Sequence, residues 1–189
     1  MFRFLIITTL IIVTGITANA QMYYGLKVGA NFANFSGDVS GNSIKPSMHF
    51  GAVVEIPLTD AFSVQPELLY SMQGYQIKED VSLKYHYHYL TLPVMAKYFV
   101  TNEITLDFGP QLSYLIFAQS SDGEYEYTEL KDETSKFDYG LALGASYEID
   151  DGMNINLRYT YGFANIFDTD TNLKANNSVI QLSLGYKFY

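Results

Sequence analysis

The chain has 189 residues, no cysteine and a formal charge of -9. That excludes a disulfide framework and thiol chemistry, and it argues against nucleic acid, whose binding needs basic patches. Seventeen Tyr and thirteen Phe with no Trp are an aromatic load suited to strands and to water–lipid boundaries. Residues 1–20 read as a secretory signal peptide: Arg3 supplies the positive start, an apolar run covers 4–16, and Ala18-Asn19-Ala20 is a small-x-small cleavage site. Cleavage there leaves Gln21 at the front of a single domain, 21–189. An uncleaved anchor is the alternative, and with no Cys after the apolar run a lipoprotein anchor is excluded.

The domain alternates. Strands are expected over 23–35, 48–58, 62–75, 87–100, 103–118, 137–149, 153–165 and 178–189, because apolar residues recur there at every second position. The hairpin at 50–74 is the clearest case. Phe50, Ala52, Val54 and Ile56 share one face of its first arm, with Val53 and Glu55 opposite. Phe62, Val64, Leu68 and Tyr70 share one face of its second, with Ser63, Gln65, Glu67 and Ser71 opposite. Tight turns (LTDA at 58–61, TN at 101–102, DDG at 150–152) alternate with longer polar loops. Short turns at one end and long loops at the other are the pattern of an outer-membrane barrel. The expected fold is all-β, an eight-stranded antiparallel up-and-down transmembrane β-barrel with periplasmic termini.

A water-soluble barrel of lipocalin type has the same alternation. Side-chain size separates the two. In the sixth candidate strand Phe137, Tyr139, Leu141, Leu143 and Tyr147 alternate with Asp138, Gly140, Ala142, Gly144, Ser146 and Glu148. Eight strands enclose room only for side chains, so the small and polar phase belongs inside and the bulky phase outside. An outer surface that apolar suits lipid and not water. Aromatics near strand ends (Tyr23, Tyr24, Phe62, Tyr75, Tyr87, Tyr98, Phe137, Tyr147, Phe163, Phe188 and Tyr189) are expected to form the two interfacial girdles.

The segments EIPLTDAFSVQPELLYSMQG, YYGLKVGANFANFSGD and YLTLPVMAKYF resemble the PorT-like outer-membrane β-barrel family of Bacteroidota, over essentially the whole domain. The resemblance implies a fold and an address. Roles in that family vary, and one branch is linked to protein secretion. At the C-terminus the apolar phase Ile180, Leu182, Leu184, Tyr186, Phe188 ends one residue early, with Tyr189 extra.

The inward phase collects Lys27, Glu55, Glu67, Lys97, Asp107, Asp138, Glu148, Arg158 and Lys187. Glu55 and Glu67 could form an acid–base dyad. The preferred reading is a structural charge network across a filled lumen, because buried charges must be paired. Porins with open channels use about sixteen strands, so a continuous pore is not expected. His86 and His88 in YHYHY share a face, but no third metal ligand is marked by spacing. Ser47 and His49 are expected near the outer end of the second strand, where some small barrels keep a lipid-modifying Ser–His site. Residues 120–136 carry Asp122, Glu124, Glu126, Glu129, Asp132 and Glu133, and Asp168 and Asp170 follow in the last loop. They read as solvated acid runs with the capacity to bind divalent cations.

The expected function is a structural or interaction role through four surface loops, without catalytic residue, cofactor or metal. The alternatives are a lipid-modifying enzyme and a secretion-associated barrel. Expected partners are outer-membrane lipid and lipopolysaccharide, the barrel-insertion machinery and an envelope or extracellular protein.

Overall fold

The computed structural model describes residues 22–37, 42–77, 84–121, 127–129, 135–150, 152–165 and 175–188. The expected signal peptide, Tyr189 and the acidic stretches around 122–126, 130–134 and 166–174 lie outside the described residues. Nine strands occur in chain order: β1 (Tyr23–Gly37), β2 (Asn42–Thr59), β3 (Phe62–Ile77), β4 (Lys84–Phe99), β5 (Ile104–Ser121), β6 (Tyr127–Glu129), β7 (Phe137–Asp150), β8 (Met153–Gly162) and β9 (Ala175–Phe188). Among the described residues no helix is long and apolar enough to cross a membrane.

Each long strand pairs antiparallel with its chain neighbour, and β9 pairs with β1 to close the ring. The barrel therefore has eight staves. The three-residue β6, which the alternation misses, only extends the loop end of β5 through Gln119↔Glu129. Two of the tight turns are tied by a threonine hydroxyl. Thr59 Oγ1 accepts from the N–H of Phe62 at 3.1 Å and Thr101 Oγ1 from that of Ile104 at 3.0 Å, the hydroxyl–backbone bond of an ST turn.

The staves differ in continuity. The β1–β9 ladder runs unbroken from Tyr24↔Phe188 to Gly37↔Ala175. All five prolines fall elsewhere: Pro46 and Pro57 in β2, Pro66 in β3, Pro93 in β4 and Pro110 in β5. The β2–β3 register shifts between Ile44 and His49 and again between Pro57 and Thr59. Pairing of β3 with β4 lapses beside Pro93, and that of β4 with β5 lapses beside Pro110, since proline offers no N–H to a ladder.

The outward phase is apolar around the whole ring. Leu26, Val28, Phe50, Leu68, Leu92, Phe108, Leu112, Leu143, Leu157, Leu182 and Leu184 all stand exposed, Leu143 at 62%. The inward phase is polar along most of its length. Near the loop end it changes to Tyr75, Tyr87, Tyr89, Leu115, Ala118 and Ala175, packed together, with the Tyr85 ring stacked on Tyr75 at 4.5 Å. Tyr75 and Tyr87 thus do not belong to an outer girdle: they are 8% and 3% exposed and plug the barrel. Their positions share parity with Glu67 and Lys97, and parity decides which face a residue takes.

Candidate functional site

The functional question lies in the lumen, where alternation delivers side chains from every long strand to one narrow space. Its charged layer lies toward the turn end. Glu67 on β3 is the hub. Its Oε1 accepts from Lys27 Nζ at 2.8 Å, from Arg158 at 2.8 Å and from Gln65 Nε2 at 2.6 Å; its Oε2 accepts from the second Arg158 nitrogen at 2.8 Å. The arginine contact is the bidentate fork that suits a carboxylate. Lys97 Nζ donates to Glu55 Oε2 at 3.0 Å and to Gln65 Oε1 at 3.1 Å. Lys187 Nζ lies 3.5 Å from Glu55 and 3.0 Å from Glu148. Glu55 and Glu67 therefore each hold their own pair of cations. They do not share the proton that a dyad needs.

Two acids of the inward phase sit differently. Asp107 is ringed by neutral donors: Thr105 Oγ1 at 2.8 Å, Ser146 Oγ at 2.6 Å and Asn156 Nδ2 at 2.9 Å. Asp138, near the loop end of β7, accepts from the Ala164 N–H at 3.2 Å and stands apart from the ion pairs. The turn end opens into a recess of about 510 Å3 whose lining includes Glu55, Asp60, Glu103, Glu148, Asp150 and Lys187.

Above the charged layer lies a neutral one. His49, expected near the outer end of its strand, is buried in the lumen. Asn31 Nδ2 donates to Met48 O, Met72 O and Ser71 Oγ at 2.6–3.1 Å, which fixes its Oδ1 as the acceptor. Gln181 Nε2 donates to that oxygen at 3.0 Å, and His49 Nδ1 lies 2.7 Å from it. His49 Nδ1 then carries the proton, leaving Nε2 to accept from Ser183 Oγ at 2.8 Å. Ser183, His49 and Asn31 thus repeat the nucleophile–base–orienter order of a hydrolase triad. All three side chains are fully packed, Ser183 at 2% exposure and the others at 0%. Gly29 shows how tight the fit is: a Cβ there would fall 2.6 Å from His49 Cε1 and 2.3 Å from Leu182 O. Ser47, the expected partner of His49, donates instead to Met72 O at 2.7 Å.

The histidines of YHYHY do not act together. His86 Nδ1 is 2.7 Å from Lys45 Nζ, while His88 Nδ1 is 2.7 Å from the Tyr70 hydroxyl, with the Phe117 ring edge-on. Sequence reasoning passed over Lys45, because the second strand was expected to start at Met48. It also passed over Asn31, Gln181 and Ser183, which share the parity of the charged residues and were findable by it.

Residues 18–168 match the family described as outer membrane protein beta-barrel domain. The chain belongs to this family. Among solved structures it resembles Neisserial surface protein A (NspA), with 11% identity and a TM-score of 0.60 over 87% of this chain and 97% of that one. It also resembles Ail, the attachment invasion locus protein of Yersinia pestis, with 12% identity and a TM-score of 0.54 over 89% and 99%. Identities this low carry the fold alone. A comparison with curated proteins gives no match. For an outer-membrane barrel, the apolar outer face described above is its lipid face. The polar layers are its lumen.

Proposed function

We propose that this protein is a side-chain-filled outer-membrane barrel that works through its loops, as a structural or interaction protein rather than a solute channel or an enzyme. The Lys27–Glu67–Arg158 cluster carries this reading. Buried Glu67 binds two buried cations, Lys27 and Arg158, across the lumen, and removing its carboxylate to admit a solute would leave both cations unpaired at a cost of several kcal/mol. Substrate has no comparable route to Ser183, whose hydroxyl is enclosed with His49 between that cluster and the aromatic plug.

In this reading residues 1–20 are removed as a signal peptide, the termini and short turns face the periplasm, and four loops face outward. The chain falls in the PorT-like branch of Bacteroidota that its hairpin segment resembles. Its partners are outer-membrane lipid, lipopolysaccharide, the insertion machinery and an envelope or extracellular protein met by the loops. Ail was solved in complex with the heparin analogue sucrose octasulfate. Here the acids of residues 120–136 outnumber its two lysines, Lys131 and Lys136, so a polyanion is the wrong ligand class. A cationic or cation-bridged partner fits.

The test replaces residues 120–136 with a short neutral turn in the full chain. Loss of a partner captured by the wild type from envelope extract, with the barrel still folded, is the expected result; unchanged capture and unchanged envelope integrity would defeat the reading. Planar-bilayer recordings should be silent. Secretion defects in a deletion strain, with loop-exchanged protein fully rescuing, would favour the secretion-associated alternative, which rests on the resemblance of EIPLTDAFSVQPELLYSMQG.

A further inference from the structure

We propose that the small cavity between Asp138, Thr160 and Asn177 is a binding site for one desolvated monovalent cation of sodium's size. The cavity lies in the loop-end half of the lumen, where β3, β5, β7, β8 and β9 face one another, and its volume is about 10 Å3. That is room for a single water-sized occupant. Gly140 and Gly162 pair across β7 and β8 beside it and create the space. A Cβ on Gly162 would fall 2.2 Å from Asp138 Oδ2.

The lining is polar, with Gln73, Gln111, Ser113, Asp138, Thr160 and Asn177 around it, and two of its oxygens lack a partner. Asn177 Nδ2 donates to Gln73 Oε1, which leaves Asn177 Oδ1 with no hydrogen-bond partner. Thr160 Oγ1 has none either. Both residues are 5% exposed, so bulk water does not satisfy them, and a buried polar atom left unpaired costs about 1–3 kcal/mol. Asp138 adds a carboxylate. Among the described residues no lysine or arginine lies within ion-pair distance of it, whereas Glu55, Glu67 and Glu148 all have one. Asp138 is half-buried, and unlike Asp107, which three neutral donors satisfy, it has the backbone N–H of Ala164 on its carboxylate, so a cation beside it is favoured.

One carboxylate, one amide oxygen and one hydroxyl are hard oxygen ligands. A water in their midst would donate to Asp138 and Asn177 and accept from the Thr160 hydroxyl, but it brings no counter-charge. A divalent ion would draw on several carboxylates, and the cavity offers one. A singly charged ion satisfies all three groups and neutralises the site.

The test measures the midpoint of heat-induced unfolding of the full folded barrel in detergent micelles. Sodium chloride replaces choline chloride at constant ionic strength, since choline is too large to enter. The midpoint should rise with sodium and saturate, and Asp138→Asn should abolish the rise. Thr160→Val, which keeps the shape and removes one ligand, should shift saturation to roughly tenfold higher sodium, a loss of the order of one hydrogen bond. A wild-type midpoint indifferent to the exchange would overturn the proposal and assign the cavity to water. So would an unchanged sodium response in Asp138→Asn. Calcium saturating the response well below sodium would overturn the monovalent assignment. Should Asp138→Asn fail to fold, Gly162→Ala, whose methyl would crowd Asp138, and Thr160→Val decide it: an undiminished response in both rejects the site.

Discussion

The charged layer and the aromatic plug fill the same narrow tube with opposite chemistry. Toward the turns, Lys27, Glu55, Glu67, Lys97, Arg158 and Lys187 form ion pairs of 2.8–3.5 Å. Toward the loops, Tyr75, Tyr87, Tyr89, Leu115 and Ala118 pack without a charge among them. Taking an ion out of water costs several kcal/mol, so a charged layer is stable only as a complete set. An apolar plug has no such condition, and each residue contributes by its own buried area. The charged layer is therefore specific and brittle; the aromatic plug is graded and forgiving.

The sharpest way to break this contrast is Arg158→Met. It leaves Glu67 fully buried with one cation fewer, and urea unfolding in micelles should show a loss of about 3–5 kcal/mol. Replacing Lys27, Glu67 and Arg158 together with Met should recover most of that loss, because no charge is then left unpaired. If the triple variant is as unstable as the single one, the layer is not a set. Leu115→Ala in the plug should cost about 3 kcal/mol, and its loss should not vary with salt. His49→Ala, at the boundary, leaves Asn31 and Ser183 each one partner short and should cost about 2 kcal/mol. Lys187→Met gives the smallest effect, about 1 kcal/mol, because Glu55 keeps Lys97 and the Glu148 side chain is 22% exposed at the recess. Of the four single-site losses it alone should shrink further as salt is raised.

Much of this architecture was legible from alternation and turn spacing. The bulky phase of the 137–149 strand pointed outward because eight staves leave no room for Phe137, Tyr139 and Leu143 inside, and those residues are exposed. Parity also held information that position obscured. Tyr75 and Tyr87 sit near strand ends, which invites a girdle reading, yet their phase is that of Glu67 and Lys97. Other features were beyond alternation. The second strand begins at Asn42, six residues before the expected Met48, and no turn signal marks that start, so Lys45 was left out although its parity is that of His49 and Glu55. The meeting of Glu67 with Arg158, 91 residues apart in the chain, depends on how far the staves are sheared around the barrel. Period two says which face a side chain takes, never how high it meets a partner across the tube.

The distribution of prolines bears on how the ring closes. The first and last staves meet along a joint free of proline and bulge, from Tyr24↔Phe188 to Gly37↔Ala175, while every interruption caused by proline lies among β2, β3, β4 and β5. A slip of one residue in that joint would turn Ile180, Leu182, Leu184, Tyr186 and Phe188 from lipid into the lumen. The closing step thus has one admissible register, read along its whole length like a zip. Amide exchange should be fastest beside the prolines of β2 to β5, where the ladder lapses.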